Sequence, residues 1–366
     1  MGPLGGVKVL EIAGIGPAPF GCMVLAEMGA EVIRVDRPDG RTYAQWHRVL
    51  DRGRRSIALD LKHPHGAEVF LRLAERSDVL VEGFRPGVAE RLGIGPKDCL
   101  GRNPGLIYAR MTGWGQTGPL AQTSGHDINY IALSGALHAI GVPPVNLLGD
   151  FAGGGLVLVN GVLAALLERE RSGVGQTIDV SIVDGVASLM SMLLGMLGAG
   201  QWRLEPGVNL LDGGAPFYAV YTCSGGGQVA VGALEEPFFQ QLLSGLGLTF
   251  EADRWDPATW PSLRALIAQR FATRSRDEWA TLFEGTDACV SPVLTVAEAA
   301  QHPHLVERRT YRDDGPAPAP RFTRSVSDPP APAPAPGADT TQILVECGLS
   351  RSEIEALLSA GIARSV

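Results

Sequence analysis

Apolar positions along the first third of the chain alternate between two periods. Residues 7–12 (VKVLEI) read as a buried strand, residues 18–28 as a helix with apolar spacing, and residues 31–35 (EVIRV) as a second strand. Strand, helix and strand in that order make a βαβ unit, which implies a right-handed crossover and a parallel sheet. The pattern recurs in LDLKHPHGAEVFLRLAERSDVLVEGF (59–84), and LIYARMTGWG (106–115) adds a strand that runs into a glycine-rich loop. These units predict a Rossmann-like sheet up to about residue 185.

The pattern then changes. YAVYTCSGGGQVAVGAL (218–234) reads as a β-hairpin with glycines in its turn. Helices follow in EPFFQQLLSGLGL, WPSLRALIAQRFATR and RDEWATLFEG. Residues 315–337 are rich in Pro and Ala and predict an extended linker. The last segment, TTQILVECGLSRSEIEALLSAGI, is helical, with a capping box from Ser350 to Glu353. The fold class expected is α/β. A large Rossmann-like parallel-sheet domain (1–185) is joined by a linker helix (186–214) to a small α+β domain (215–300). Residues 301–366 return to complete the large domain.

Composition narrows the function. Apolar residues make up 45% of 366 and the net charge is −8, which argues against nonspecific nucleic-acid binding. Cysteines 22, 99, 223, 289 and 347 are odd in number and widely spaced, so free thiols are expected, with no disulfide frame and no metal site. The opening MGPLGGVKVLEIAG has no charged n-region and no long apolar run, so no secretory leader is expected. An acidic chain of this kind is expected in the cytoplasm. The run 185–202, free of charged residues and histidine, approaches membrane-spanning length, but four glycines and two serines make a buried helix the better reading. Met190, Met192 and Met196 are placed on that helix, either as a tolerant apolar surface or as core.

The βαβ opening raises the question of a dinucleotide. The first turn reads Gly14-Ile-Gly16-Pro-Ala-Pro19, and proline stands where a dinucleotide loop needs a small third residue for close helix packing. Asp36, at the end of the second strand, is a weak signal alone.

Several motifs carry a more specific signal. The run GPAPFGCMVLAEMGAEVIRVDRP (16–38), with RGRRSIALDLK (52–62), DVLVEGFRPGVAERLG (78–93), IYARMTGWGQTGP (107–119), TDACVSPVL (286–294) and HPHLVERRTY (302–311), resembles family III CoA transferases over nearly the whole chain. One branch of that family racemises α-methylacyl-CoA thioesters and is marked by GHDINY, here residues 125–130. Transferases of the family typically carry an aromatic residue where His126 stands. The resemblance implies His126 and Asp150 as acid/base partners and a glutamate in VGALEEP, Glu235 or the adjacent Glu236, as support for His126. It further implies an acyl-CoA partner, no cofactor beyond the CoA of the substrate, and an interlocked homodimer. No nucleic-acid or membrane partner is expected.

Inverting a tertiary α-carbon requires a proton taken from one face and returned to the other. A neutral imidazole opposite a protonated carboxylic acid can do this, with the roles exchanged in reverse, and each group contributes typically ~10²–10⁴-fold. Backbone N–H groups near His126 and Asp127 suit the oxygen of a thioester enolate. Gly153 to Gly155 after Asp150 would let a ligand approach the backbone. A helix from Leu156 to Glu168 would favour ionised Asp150 through its dipole, whereas burial would oppose this. His47, His63, His65, His138, His302 and His304 lack a motif context and read as surface, capping or core residues.

CoA brings a diphosphate and a 3′-phosphate, so local positive charge is needed. Arg52, Arg54 and Arg55 form a basic cluster. By resemblance the CoA groove runs along Arg37, the stretch Leu59, Asp60, Leu61 and Lys62, then Glu82, Gly83, Phe84, Arg85 and Arg91. Gly125, Asp127, Ile128, Asn129 and Tyr130 complete the substrate-binding set. Asp51 stands where the family usually has asparagine, and Arg54 where it has lysine. The competing readings are a CoA transferase with Asp150 as nucleophile and a non-catalytic acyl-CoA binder.

Overall fold

The computed structural model describes residues 2–39 and 45–366. The chain forms two compact units. One comprises Met1–Ala136, Pro144–Met190 and Asp313–Val366, and the other Leu137–Pro143 and Ser191–Arg312.

The first unit is built on β1 (Lys8–Ile12), α1 (Pro17–Glu27), β2 (Glu31–Asp36), β3 (Arg54–Leu59), α2 (Pro64–Glu75), β4 (Val79–Glu82), α3 (Val88–Arg91), α4 (Pro96–Arg102) and β5 (Ile107–Thr112). It continues through α5 (Asp127–Leu133), α6 (Ala136–Ile140) at the boundary between units, a π-helical segment (Leu147–Leu156), α7 (Val157–Ser172), β6 (Thr177–Ser181) and α8 (Ile182–Leu189). The sheet order is β3-β2-β1-β4-β5-β6, all parallel, and the short C-terminal strand Ala363–Arg364 pairs antiparallel with β3. The strands are apolar because helices cover both faces: every residue of β4 is buried. Phe70 from α2 and Ile343 and Leu344 from the helix Thr340–Glu346 share one core with Leu10, Ile57 and Leu80. Truncating a wholly buried residue such as Phe70 to alanine would cost about 3–5 kcal/mol. The Ser350–Glu353 capping box is present on the helix Arg351–Ser359.

The sheet has one topological switch. From β1 the chain moves outward to β2 and β3, then returns to the other side of β1 as β4. A crevice therefore opens at the carboxyl ends of β1 and β4, where ligands of open parallel sheets bind. The loops there are Ala13–Gly16 and Gly83–Arg85. The LDLK stretch begins at the end of a strand rather than forming one: β3 ends at Leu59, and the Asp60 carboxylate accepts the Lys62 N–H at 3.0 Å in a turn. Pro64 then opens α2, which His63 caps by accepting the His65 N–H.

The second unit holds α9 (Ser191–Gly198), β7 (Tyr218–Thr222), β8 (Gln228–Gly232), α10 (Glu236–Leu246), α11 (Trp260–Phe271), α12 (Arg276–Phe283) and β9 (Val290–Pro292). The three strands form an antiparallel sheet in the order β7-β8-β9. Gly225 and Gly226 turn the β7–β8 hairpin with positive φ of 79° and 86°. Phe217, Phe239, Phe271 and Trp279 fill the core.

The run 185–202 is not one buried helix. It divides at Met190, whose N–H forks to Val186 and Ala187 as α8 ends, and α9 contains no buried residue. Met190 is thus a helix cap, while Met192 and Met196 lie on α9, and residues 201–214 of the expected linker helix are not helical. Apolar composition alone cannot tell a core helix from one whose side chains no described element covers.

Candidate active site

The site is built where α5 and the π-helical segment meet the loop after β1. His126 is the N-cap of α5, in extended conformation, with an exposed imidazole, and its backbone N–H donates to Asn129 Oδ1 at 3.0 Å. The Tyr130 hydroxyl donates to the Gly125 carbonyl at 2.5 Å, and its ring meets Trp114 edge-on at 4.7 Å. A side chain at Gly113 or Gly125 would collide with Tyr130, so these glycines let the ring clamp the peptide before His126. Asn129, Trp114, Leu120, Thr123, Ser124, Ala132 and Leu133 line a groove of about 500 Å³ along α5.

Asp150 lies in the first turn of the π-helical segment. Its backbone N–H donates to Asp127 Oδ2 at 2.8 Å, and its own Oδ2 accepts the Asn146 side-chain N–H at 3.0 Å. Asp127 follows His126 directly, so this bond ties the two predicted acid/base residues together across 24 positions. His126 acts electrostatically on Asp150, lowering its pKa. Burial outweighs that effect and, with the Asp127 charge, lifts the Asp150 carboxyl above its ordinary value. Burial is the largest single influence on this carboxyl. The Tyr130 hydroxyl is also raised, by burial and by Asp150, while Arg85 works in the opposite sense.

Gly153, Gly154 and Gly155 do not open the backbone to a ligand. They are buried, and side chains at these positions would meet Val186 of α8, Pro17 and Phe20 of α1, Ile182 and Met111. The expected helix start at Leu156 also moves: helical structure begins at Leu147 and runs without a break through α7. That stretch is apolar and long enough to cross a bilayer, yet here α1, α5 and α8 pack on its π-helical part. A wide i→i+5 turn at a candidate site is a recurrent arrangement. Gly16, φ 72° and ψ −113°, lies against the acid: a Cβ there would sit 3.5 Å from Asp150 Oδ2.

The expected CoA residues fall at the carboxyl ends of β2, β3 and β4. Arg37, Lys62, Gly83, Arg85 and Arg91 are exposed, Asp60, Leu61 and Phe84 half-buried. Ile128 is exposed and Asp127 buried. Leu59 and Glu82 point inward: Leu59 is core, and Glu82 is wholly buried, accepting from the Phe84 N–H at 2.7 Å and Arg110 Nε at 2.8 Å. Glu82 thus shapes the 82–85 loop rather than meeting a ligand through its side chain.

The cluster Arg52, Arg54 and Arg55 is not a phosphate site. Arg54 is buried against Glu11 at 2.9 Å, Arg52 is buried against Glu27, and Arg55 pairs with Glu31 and Glu346. Adjacent arginines look alike in sequence, and only the carboxylates brought by distant segments show that their charge is spent internally.

Glu235 belongs to the second unit, as the N-cap of α10, and is exposed. Its neighbour Glu236 bonds Arg254 at 3.0 Å and Gln240 at 2.7 Å within that unit. The Glu235 backbone carbonyl accepts the Phe239 N–H at 2.9 Å, while its carboxylate has no hydrogen bond or ion pair among the described residues. Sequence reasoning missed two residues at the site, His47 and Asn146. Asn146 gives no motif signal, and His47 lacks the GHD context that singled out His126.

The pattern of CoA-transferase family III matches residues 4–340. This chain belongs to CoA-transferase family III. Alpha-methylacyl-CoA racemase of Mus musculus is 47% identical over 376 residues, covering 99% of this chain and 98% of that one. Alpha-methylacyl-CoA racemase of Homo sapiens is 45% identical, with the same coverage. Among solved structures, a CAIB/BAIF family protein from Brucella suis is 26% identical with a TM-score of 0.81, covering 94% of this chain and 99% of that one. The mixed α/β fold is thus shared with that family.

Proposed function

We propose that this chain is an alpha-methylacyl-CoA racemase, an isomerase that interconverts (2R)- and (2S)-2-methylacyl-CoA thioesters. The observation that carries the reading is the tie between the GHDINY motif and Asp150: Asp127, next to His126, holds the Asp150 backbone. In one direction His126 removes the α-proton and protonated Asp150 returns one to the opposite face. In the other direction the roles exchange. A raised Asp150 pKa brings its neutral form closer to working pH, as a general acid requires. The N–H groups of Asp127 and Ile128 open α5 without a carbonyl partner among the described residues, and they suit the enolate oxygen. Arg37, Lys62, Arg85 and Arg91 meet the phosphates of CoA, and no further cofactor takes part.

The enzyme acts as a cytoplasmic homodimer in fatty acid metabolism. The exposed apolar side chains of α9 support the dimer: Met192 is 67% and Leu194 55% exposed, a face that a soluble chain is expected to cover. A sedimentation measurement giving a monomer would remove this part of the reading.

One experiment tests the activity. Pure (2R)-2-methylacyl-CoA is incubated with enzyme in D₂O, and the α-position is followed by NMR. Deuterium entry with loss of stereochemical purity is expected. Acyl exchange onto an added carboxylate without α-exchange would identify a transferase that uses Asp150 as nucleophile. Neither reaction would leave an acyl-CoA binder.

A further inference from the structure

His47 is 1% exposed, in the turn Gln45–Val49. Its Nε2 lies 3.4 Å from the Gly16 nitrogen and accepts that N–H. An accepting Nε2 places the ring proton on Nδ1, which lies 3.0 Å from Asp51 Oδ1 and donates to it. The other Asp51 oxygen makes a charge contact with Arg34 Nη1 at 3.0 Å. Arg34 in turn pairs with Asp36, which also accepts from the Ser56 hydroxyl at 2.6 Å. Burial pushes Asp51 up, but the His47 hydrogen bond and the Arg34 charge hold it below the ordinary carboxylate value. An ionised Asp51 fixes one tautomer of His47, and that tautomer fits only a donor at Gly16.

Gly16 faces the Asp150 carboxylate across the space a side chain would fill, since a Cβ there would sit 3.5 Å from Oδ2, and its backbone conformation is one that glycine alone adopts readily. A peptide with such freedom needs a partner to hold it in one orientation. We propose that His47, oriented by Asp51, is a positioning residue for the Asp150 half of the reaction: it holds the Gly16 peptide, and the Gly16 peptide sets the Asp150 carboxyl. Asp51 gives the His47 clamp an ionised partner. The proposal rests on the racemase reading for its catalytic consequence and on hydrogen-bond geometry for its structural one.

The test compares His47→Leu, which fills the space without an acceptor, with His47→Gln, whose side-chain oxygen reaches about as far as Nε2. Exchange of the α-proton in D₂O is measured separately for the two hands of substrate. The hand served by Asp150 is the one whose exchange Asp150→Asn abolishes. His47→Leu is expected to slow exchange of that hand about 10–100-fold, with KM within about threefold and the other hand far less affected. His47→Gln is expected to return most of the loss. Equal loss for both hands, no loss, or no advantage of Gln over Leu would overturn the proposal. Long-range ¹H–¹⁵N NMR of the wild-type protein supplies a readout that depends neither on the fold of a variant nor on activity: a proton on Nε2 of His47 would rule out the Gly16 bond. If wild-type enzyme exchanges neither hand, the racemase reading fails while the NMR result still decides the clamp.

Discussion

Asp127 Oδ2 accepts the backbone N–H of Asp150 at 2.8 Å. This bond links the motif that carries the imidazole to the segment that carries the acid, and it places one carboxylate beside another. Asp127 therefore has a mechanical role, as an acceptor, and an electrostatic one, since its charge raises the Asp150 pKa.

The two roles separate by substitution. Asp127→Asn keeps an acceptor and removes the charge, so Asp150 should ionise at lower pH. In the direction that uses Asp150 as acid, activity falls as pH rises through its pKa. The alkaline limb of the pH–kcat profile should accordingly move to lower pH, with little change at its plateau. Asp127→Ala loses the bond as well and should lose about 10²-fold in kcat through misplacement of Asp150. An unmoved limb in Asp127→Asn would contradict the electrostatic role.

Asp150 should also trade stability for activity. Its folded pKa is raised above the ordinary value of 3.8, chiefly by burial. Its contribution to stability is then fully present below the unfolded pKa and is lost as pH rises through the folded one. Asp150→Asn, neutral at every pH, should melt higher than wild type at pH 7, and the advantage should vanish below about pH 4. Thermal melts across that range check both signs.

Glu235 and Glu236 should give opposite phenotypes. Glu236 is exposed, and its buried partner Arg254 keeps bonds to the Ala233 and Leu234 carbonyls, so Glu236→Gln, which retains an acceptor for Arg254, should cost about 0–1 kcal/mol of stability and leave racemisation near wild type. Glu235→Gln, at a carboxylate without a side-chain partner among the described residues, should leave the melting temperature alone and lower kcat about 10–100-fold.

The arginines divide in the same way. Arg54→Met strands Glu11, whose carboxylate is wholly buried, and should cost about 3–5 kcal/mol of stability. Arg37→Ala removes an exposed cation at the end of β2 and should raise KM for acyl-CoA severalfold without changing the melting temperature. Increasing salt should weaken CoA binding by wild type more than by Arg37→Ala.

The sequence by itself determined the parallel sheet, its helices, the hairpin of the second unit and the family. Strand and helix periodicity are local, and a motif such as GHDINY keeps its residues adjacent, so both survive in one dimension. It also named His126 and Asp150. Tertiary structure alone decided how those residues are held: by Asp127 on the backbone of Asp150, by Asn146 on its carboxylate, and by Gly16 with His47 behind it. It showed that Gly153 to Gly155 serve helix packing, that Arg52 and Arg54 are neutralised inside the first unit, and that α9 carries its apolar residues on the surface. The reason is common to all of these. Burial and charge pairing depend on neighbours far away in the chain, and no local pattern encodes which distant carboxylate, ring or backbone will arrive beside a given side chain.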